Sequence, residues 1–359
     1  MPSTLESKKD TQYKCRSCKS TSTSPLNYTH WVFPAKPLNW TNILCHDCGL
    51  VSHYKDDGEL ITYSDQAYRK KGENMVYPPI SLPWSTISFR RWKHIANVVE
   101  SNLKDEPLSS YSILDYGGYN GLLARAFKQH WGSDCTVADL DQEGLGFAES
   151  MGFKTINLSK QPELTEKYDL ITMVHVLEHV EDPYSSIISL ANALEDNGCI
   201  YIEVPNLFGI PLMDDAHLST FTLDSLRNLF QAAGLENIAS GYCQTPPEAI
   251  NFGFPFSTKK ENIYILAKKL IDSVNSPINE HSPKIKKDIK YLKKELTKNY
   301  GYRGLSISAS YLRSGISKIL LSIGVFIISV LSLVPFIRSI VTSRSMYVFL
   351  KNIINSFRR

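Results

Sequence analysis

Residues 112–121 read Ser-Ile-Leu-Asp-Tyr-Gly-Gly-Tyr-Asn-Gly, a short apolar run that ends in a glycine-rich turn. A helical pattern follows directly over 122–130. Glycines let a backbone approach a ligand closely, and the N-terminus of the following helix offers free N–H groups. Asp139 ends the next apolar run, where an acid can accept hydrogen bonds from both hydroxyls of a ribose. The stretch predicts a nucleotide-binding strand, turn and helix.

Short apolar strands alternate with helical patterns through the middle of the chain. The strands are predicted at 112–116, 136–138, 154–157, 169–174, 199–204, 237–242 and 262–267. Helices are predicted at 89–103, 122–130, 143–151, 183–194 and 223–233. This alternation is typical of a mainly parallel sheet with helices on both faces. Only a loop separates the last two strands, so we expect one of them to run antiparallel.

Two further segments carry a family resemblance. Residues 168–183 read YDLITMVHVLEHVEDP, and residues 217–222 read HLSTFT. Together with the glycine turn, they resemble the class I S-adenosylmethionine-dependent methyltransferases over roughly Phe89 to Lys269. The resemblance implies an α/β fold, Rossmann-like and doubly wound, with a mainly parallel seven-stranded sheet in a domain of about 85–269. It also implies an enzyme that uses S-adenosylmethionine, whereas the glycine turn alone is equally compatible with nicotinamide binding.

The resemblance also implies a cofactor site. The methionine part of the cofactor would be lined by Asp115, Gly117, Gly118 and Gly121. Asp139 would hold the ribose, Leu140 would lie against the adenine, and Asn157 would lie at its amino edge. Met173 and Val174, at the end of the fourth strand, would contact the methionine moiety.

One position departs from the family pattern. The family usually has glycine where Tyr119 stands. The tyrosine must turn its ring away from the cofactor or narrow the pocket. A catalytically inactive binding or scaffold protein is therefore an alternative hypothesis, although the glycines on either side of Tyr119 are present.

Histidines are the candidates for the catalytic base. A methyl group on a sulfonium is already electrophilic, so the enzyme mainly has to hold the nucleophile in line and close. If the nucleophile is a hydroxyl, histidine suits the removal of its proton near neutral pH. His175 and His217 are the predicted catalytic residues. Glu178 and His179 are interpreted as residues that open a helix, where they cap or orient it.

Two cysteine pairs near the N-terminus predict a metal site. Cys15 and Cys18 are separated by 26 residues from Cys45 and Cys48, a spacing typical of a structural Zn²⁺ site with four thiolates. A module over 11–60 with few large aliphatic residues has a small hydrophobic core and needs a cross-link such as a bound metal ion. The arrangement resembles the small zinc-binding domain that precedes the methyltransferase domain in some sugar-modifying members. His46 and His53 are the alternative ligands that the sequence offers, but they are interpreted as bystanders.

The C-terminal part, 270–359, is predicted to be a basic helical tail. It holds 15 Lys and Arg against four Asp and Glu, a net charge of +11. Because the net charge of the whole chain is +3, residues 1–269 carry a net charge of −8. Residues 319–337 contain no charge, and as a helix they would span about 28 Å, close to the thickness of a bilayer core. We expect a cytoplasmic protein that associates with the membrane through this segment, although a helical hairpin packed on the protein is the alternative.

The sequence therefore predicts a methyltransferase that O-methylates a sugar, a glycan or a related small-molecule acceptor, with membrane association through the tail. A nucleic-acid methyltransferase is a third hypothesis, which the acidic balance of residues 1–269 makes unlikely. The N-terminus lacks the apolar stretch of a secretory signal, so disulfides are not expected.

Overall fold

The computed structural model describes residues 13–26, 30–32, 36–38, 40–55, 82–103, 107–209, 216–243 and 262–269. The predicted basic tail, including 319–337, lies outside the described residues. In the part of the chain that is described, no helix is both long enough and apolar enough to cross a membrane.

The described elements follow one another in a regular order. Five short strands precede the first helix: β1 (Thr23–Leu26), β2 (His30–Val32), β3 (Lys36–Leu38), β4 (Trp40–Cys45) and β5 (Val51–Lys55). The helices are α1 (Leu82–Asn102), α2 (Leu122–Trp131), α3 (Gln142–Ser150), α4 (Pro183–Asn192) and α5 (Leu223–Ala232). The later strands are β6 (Ser112–Tyr116), β7 (Asp134–Asp139), β8 (Lys154–Asn157), β9 (Tyr168–Val174), β10 (Leu194–Pro205), β11 (Ser219–Thr220), β12 (Leu235–Cys243) and β13 (Asn262–Lys269).

Seven of these strands form the central sheet, in the order β12-β13-β10-β9-β6-β7-β8. The strands from β10 to β8 are parallel to their neighbours, whereas β13 runs antiparallel to both β10 and β12. The predicted Rossmann-like α/β fold, with its mainly parallel seven-stranded sheet and an antiparallel strand near its end, is therefore confirmed.

One predicted boundary is wrong. The helical pattern was expected to continue to Leu194, but α4 ends at Asn192 and β10 begins at Leu194. Leu194 pairs with Tyr168 of β9, and the register shifts before Cys199 resumes the pairing. The apolar Leu194 is buried in the sheet rather than on the helix, because an apolar residue at a helix end fits either period.

The core lies on both faces of the sheet. Successive residues of a strand point to opposite faces, so Leu114 packs with the cluster that contains Phe230, while Ile113 packs with the cluster that contains Phe127. All three of Leu114, Ile113 and Phe127 are fully buried, and burial of each such side chain stabilises the fold by about 1.5–3 kcal/mol. The strands read as continuous apolar runs because both faces are covered.

The start of α4 corrects a second expectation. The side chain of Asp182 caps this helix by accepting the N–H of Ser185 at 3.1 Å, and Pro183 occupies the first turn. Glu178 and His179 lie earlier, in a single 3-10 turn over Leu177–His179, and do not open or cap α4. Their side chains are therefore available for another role.

The cysteine-bearing strands join the rest of the chain through a second sheet. Its order is β1-β4-β5-β11, and β11 comes from the loop between β10 and α5. Residues Ser219 and Thr220 of β11 pair antiparallel with Ser52 and Val51 of β5. Three of the N-terminal strands, β1, β4 and β5, therefore form one sheet with a strand that the sequence assigned to the methyltransferase domain, while β2 and β3 pair with each other.

Candidate active site

The strand order places a crevice at the carboxyl ends of β6 and β9. β6 has β7 on one side and β9 on the other, so the chain winds away from this point in opposite directions. In open α/β sheets, ligands bind outside the carboxyl ends of the strands at such a switch point. Asp115 near the end of β6 pairs in register with Thr172 of β9, and the glycine turn follows β6 directly.

The glycine turn is built so that only glycine fits. A Cβ on Gly117 would lie 2.2 Å from Cγ2 of Val176, and a Cβ on Gly118 would lie 2.6 Å from Oδ2 of Asp115. Gly117 and Gly121 also adopt φ of +76° and +72°, which side chains disfavour. The turn thus keeps backbone open toward the crevice and packs against the turn that follows β9.

Asp115 carries an unsatisfied buried oxygen. Its Oδ1 accepts a hydrogen bond from the hydroxyl of Thr172 at 2.9 Å, while Oδ2 has no hydrogen-bond partner among the described residues. Burial raises the pKa of Asp115 to about 7, although the bond from Thr172 opposes this. A buried carboxylate with a free oxygen beside a glycine turn fits the cationic methionine amino group of S-adenosylmethionine, so the residues present suit this cofactor.

Tyr119 turns away from the glycine turn. Its backbone is left-handed, with φ of +48°. Its ring lies over the start of α3, where a Cβ on Gly144 would come within 2.5 Å of the ring carbon Cδ2. Gly144 therefore makes room for the ring over α3, and whether the ring also narrows the cofactor pocket stays a prediction.

Asp139 holds the turn as well as facing the crevice. Its Oδ2 accepts the N–H of Tyr119 at 2.8 Å, and its Oδ1 accepts the N–H of Asp141 at 2.8 Å. Each carboxylate oxygen keeps a second lone pair, so the predicted contact with ribose hydroxyls stays a prediction that fits the geometry. The sequence did not predict this hydrogen bond, in which the backbone N–H of Tyr119, a residue with a left-handed backbone, donates to the carboxylate of Asp139.

The predicted adenine residues lie at neighbouring strand ends. Leu140 is 41% exposed, as an apolar contact for a bound ring requires. Asn157 lies beside Asp139 in the register of β7 and β8. Its amide donates to Gln142 at 2.6 Å and its carbonyl oxygen accepts the N–H of Ser159 at 2.9 Å. The Asn157 side chain is thus fixed at the rim rather than pointing freely into the crevice.

Met173 and Val174 occupy different surroundings at the end of β9. Met173 is fully buried and its side chain belongs to the core. Only its backbone is therefore available to a cofactor. Val174 is partly buried and packs beside the opposite core cluster. The predicted contact with the methionine moiety stays a prediction for both residues.

His175 lies between two buried carboxylates. Its Nδ1 is 3.3 Å from Oε1 of Glu178, and its Nε2 is 3.3 Å from Oε1 of Glu203. Burial lowers the pKa of His175, but the contacts with both carboxylates outweigh it and the net shift is upward. Burial raises the pKa values of Glu178 and Glu203, yet their cationic neighbours hold both at about 2. Both ring nitrogens of His175 therefore face protein carboxylates.

Two more histidines lie near the carboxylate of Glu178. Its Oε1 lies 4.0 Å from Nε2 of His179 and 4.0 Å from Nε2 of His217. The His179 ring is oriented by a 3.0 Å contact between its Nδ1 and the carbonyl oxygen of Ala216. Ligand atoms of Glu178, His179 and His217 all lie within 4.8 Å of one another, so this trio could also hold a metal ion. Both predicted catalytic histidines are thus brought to one buried carboxylate.

Sequence reasoning missed the residues that complete this network. Glu203 of β10 accepts from Asn262 of β13 at 3.2 Å and lies 3.4 Å from the guanidinium of Arg91 in α1. Glu203 is buried within a strand whose neighbours are apolar. A charged residue inside an apolar run was the available signal, because a buried charge requires partners.

The four predicted metal ligands also come together. Cys15 and Cys48 place their sulfurs 3.5 Å apart, and Cys18 and Cys45 place theirs 3.4 Å apart. All four sulfurs lie within 4.8 Å of one another. Four thiolates around a tetrahedral Zn²⁺ at about 2.3 Å stand about 3.8 Å apart, so these distances fit such an ion. None of the seven cysteines, all of which are described, forms a disulfide.

The sheet and its glycine turn define the class of domain: a Rossmann-like fold with a nucleotide-type ligand site at the switch point. Residues 88–240 match the family model described as a methyltransferase domain. These residues therefore match a methyltransferase domain, in agreement with the class predicted from the sequence.

Curated relatives match the same part of the chain. The ubiquinone biosynthesis O-methyltransferase of Marinobacter nauticus is 29% identical over 136 residues, which cover 34% of this chain and 57% of that protein. The protein of the same name from Histophilus somni is 34% identical over 111 residues, which cover 28% of this chain and 47% of that protein. This chain thus spans about half the length of these relatives.

Solved structures show a similar fold at low identity. The plantazolicin methyltransferase BpumL in complex with SAH is 17% identical, with a TM-score of 0.42, and the match covers 58% of this chain and 92% of that chain. Magnesium protoporphyrin IX methyltransferase from Synechocystis PCC 6803 with bound SAM is 14% identical, with a TM-score of 0.40, and the match covers 57% and 92%.

Proposed function

We propose that the chain transfers a methyl group from S-adenosylmethionine to a hydroxyl of a small-molecule acceptor, with His217 as the base. The observation that carries this proposal is the position of His217 beside the buried carboxylate of Glu178. The same turn that carries Glu178 contacts the glycine turn through Val176. The turn after β9 therefore contacts both the candidate base, through Glu178, and the glycine turn, through Val176.

The two histidines then have different roles. Both nitrogens of His175 face carboxylates and its pKa is raised, so it serves as a fixed cation between Glu178 and Glu203. His217 is close enough to Glu178 for the carboxylate to stabilise its protonated ring after it takes a proton. The interpretation of His175 as the base is the weaker of the two.

The remaining residues bind and orient. S-adenosylmethionine supplies an electrophilic methyl group when it is bound. Asp115 would face the methionine amino group, the glycine turn would admit the ligand, and Asp139 would accept hydrogen bonds from the ribose hydroxyls. The ring of His217 would take the proton of the acceptor hydroxyl as its oxygen bonds to the methyl carbon and the carbon–sulfur bond breaks, which would leave S-adenosylhomocysteine and the methyl ether.

The sharpest test replaces His217 with Ala. We expect methyl transfer to fall by about 100-fold to 10,000-fold, the usual contribution of a general base, while the affinity for S-adenosylmethionine changes less than threefold. Labelled methyl transfer into a small-molecule extract of the source cells measures the first quantity, and calorimetry the second. His130→Ala is the matched control, since His130 stacks on Trp92 away from this cluster. Unchanged transfer in His217→Ala removes it from the mechanism.

The acceptor is proposed to be a hydroxylated small molecule. The curated relatives are named ubiquinone biosynthesis O-methyltransferases, which favours oxygen as the methylated atom. A sugar or glycan is the more specific candidate, suggested by the cysteine module. Mass spectrometry of the labelled product separates a methylated sugar from a methylated phenol.

The cysteine cluster is proposed to hold a structural Zn²⁺. Four thiolates leave no open position for water, so the ion would stabilise the module rather than react. Metal analysis of the purified chain tests this: one zinc per chain is expected, and Cys15→Ser with Cys48→Ser should release it. A chain purified with no bound metal and four free thiols contradicts the proposal.

Membrane association is proposed for the basic tail, 270–359. Its net positive charge complements anionic lipid headgroups. Flotation with vesicles that contain anionic lipid is the test, and deletion of 319–337 should abolish it. Full-length protein that stays with the soluble fraction after low-salt lysis and does not float contradicts the proposal.

A further inference from the structure

The cysteine module and the loop that carries His217 meet in a single small sheet. β5 follows the second cysteine pair after two residues, and β11 follows His217 after one. The two strands pair antiparallel, with Ser52 opposite Ser219 and Val51 opposite Thr220. In addition, the N–H of His53 donates to the carbonyl oxygen of Leu218 at 3.1 Å. The module thus contacts the loop immediately after the candidate base.

His53 bridges the module to this loop with its side chain. Its Nδ1 lies 2.9 Å from Oδ1 of Asn42 in β4, and its Nε2 lies 2.8 Å from Oγ1 of Thr220 in β11. An amide oxygen only accepts, so Nδ1 carries the proton, and Nε2 accepts the hydroxyl of Thr220. His53 is fully buried, so loss of either bond would remove a hydrogen bond in a place that is closed to water.

The loop is fixed from its other side by Glu178. The N–H of Leu218 donates to the carbonyl oxygen of Glu178 at 2.7 Å. His217 therefore lies between two anchors: the backbone of Glu178 on the side of the methyltransferase sheet, and His53 on the side of the cysteine module. Both Leu218 and Ser219 are fully buried, so the segment has little freedom while both anchors hold.

The cysteine turns are themselves joined to this bridge. Arg16, between the first two cysteines, donates from Nη2 to the carbonyl oxygen of His53 at 3.2 Å. The carbonyl oxygen of Cys48 accepts from the amide of Asn228 in α5 at 3.3 Å. The module therefore contacts both β11, which follows His217, and α5, the next helix along the chain.

We propose that His53 is a positioning residue for His217, through its bond to Thr220, and that the cysteine module serves methyl transfer by fixing this loop. The proposal rests on the proposed role of His217. A displacement of about 1 Å at a catalytic group can cost on the order of 100-fold in rate. The sequence interpretation of His53 concerned only the metal, and the positioning role is additional to it.

Two substitutions at position 53 separate its two bonds. In His53→Gln, the amide oxygen stands near the position of Nε2 and can accept from Thr220. In His53→Asn, the shorter amide can donate to Asn42 but does not reach Thr220. Thr220→Val removes the hydroxyl at nearly constant volume. Thr155→Val is the control, since the hydroxyl of Thr155 in the edge strand β8 donates to the exposed Glu149 at 2.6 Å.

The first measurement is hydrogen exchange of the peptide that covers 216–222 in the full-length chain, which needs no acceptor. We expect exchange to accelerate at least tenfold in His53→Asn and Thr220→Val, and to stay within threefold of wild type in His53→Gln and Thr155→Val. The zinc content and the affinity for S-adenosylmethionine should stay unchanged in all four variants.

The second measurement is labelled methyl transfer into a small-molecule extract of the source cells. We expect about a tenfold or greater loss of kcat with little change in KM for His53→Asn and Thr220→Val, and rescue by His53→Gln. Equal exchange and equal transfer in all variants overturn the positioning role, as does a parallel loss in His53→Gln. If wild type neither binds S-adenosylmethionine nor transfers methyl groups, the proposed function fails instead, while exchange still reports on the loop.

Discussion

Two buried carboxylates stand at neighbouring strand ends and differ in their charge environment. Asp115 near the end of β6 has one hydroxyl partner and an unsatisfied oxygen, and burial raises its pKa to about 7. Glu178 after β9 is as deeply buried, but three histidines surround it and its pKa is held at about 2. Neither oxygen of Glu178 has a hydrogen-bond partner among the described residues either, so its ionised form is stabilised by the nearby histidine rings, above all by His175, whereas the partner of Asp115 is the neutral hydroxyl of Thr172.

The opposite shifts give opposite dependences of stability on pH. A carboxylate with a raised folded pKa binds more protons in the folded state, so Asp115 lowers the stability of the ligand-free protein as pH rises from about 4 to 7. Glu178 contributes stability that is present above about pH 4.5 and is lost as pH falls toward 2. Two buried carboxylates whose pKa values are shifted in opposite directions are typical of a functional site.

Removal of the charge from Glu178 should have the largest effect. Glu178→Gln leaves the three histidines beside a neutral group, and a buried pair broken on one side costs about 3–5 kcal/mol. We expect the free energy of unfolding in urea to fall by about 3 kcal/mol near pH 6 and methyl transfer to fall by about 100-fold. Glu236→Gln, at an exposed position, should change neither quantity.

The pH dependence of this difference checks its origin. His175 has a raised pKa, so its contribution is fully present below about pH 6.5 and is lost as pH rises through the folded value. The gap between wild type and Glu178→Gln should therefore be widest between about pH 5 and 6.5 and should narrow in alkaline solution. A gap that is constant from pH 5 to 9 means that the histidine charges do not stabilise the cluster.

For Asp115, the effect of pH should appear in ligand binding rather than in stability, and affinity should rise with pH. S-adenosylmethionine carries a methionine amino group, and its binding favours the ionised carboxylate. Below about pH 7 the group must first lose its proton, so we expect affinity to fall by up to about tenfold per pH unit. Calorimetry at pH 6, 7 and 8 measures both the affinity and the proton released.

The Asp115→Asn variant should bind S-adenosylmethionine about tenfold more weakly than wild type at pH 8, and its affinity should depend little on pH. The exposed Asp134→Asn is the control and should follow wild type. If wild-type affinity is flat between pH 6 and 8 and no proton is released, Asp115 does not face a cation of the bound ligand, and its raised pKa reflects its burial alone.

The sequence predicted Asp115 better than Glu178 for a physical reason. Asp115 lies in a local pattern, a strand followed by glycines, and both its position and its neighbourhood are set within ten residues. The role of Glu178 depends on its contact with His217 near the end of β9, and these residues come together only in the folded state. The pairing of β5 with the two-residue β11 is a further example, because so short a strand has no period to detect.

Hydrophobic periodicity could place the sheet and most helices, since continuous apolar runs mark strands that are covered on both faces. It could not choose between helix and strand for Leu194, which lies at the junction of the two. Nor could it give the direction of the Tyr119 ring, because the space for that ring comes from Gly144 on another element.

Tyr119 and Gly144 give the smallest and most selective prediction. A Cβ on Gly144 would come within 2.5 Å of the Tyr119 ring, so Gly144→Ala should lower the free energy of unfolding by about 1 kcal/mol in wild type. In the Tyr119→Gly background the ring is gone, and the same change should be neutral or stabilising by up to about 1 kcal/mol, because Ala favours a helix over Gly. A double-mutant cycle in urea isolates a coupling of about 1 kcal/mol.

The same four proteins test whether the cofactor turn stays open. If the ring is kept outside by Gly144, then Gly144→Ala alone should push it toward the turn and weaken binding of S-adenosylmethionine several-fold, while the double variant regains wild-type affinity. Gly146→Ala is the control, since a Cβ there meets no atom within 4 Å. Additive effects on both stability and affinity would mean that the two residues act independently, and the space over α3 would then not explain how the turn accommodates a tyrosine.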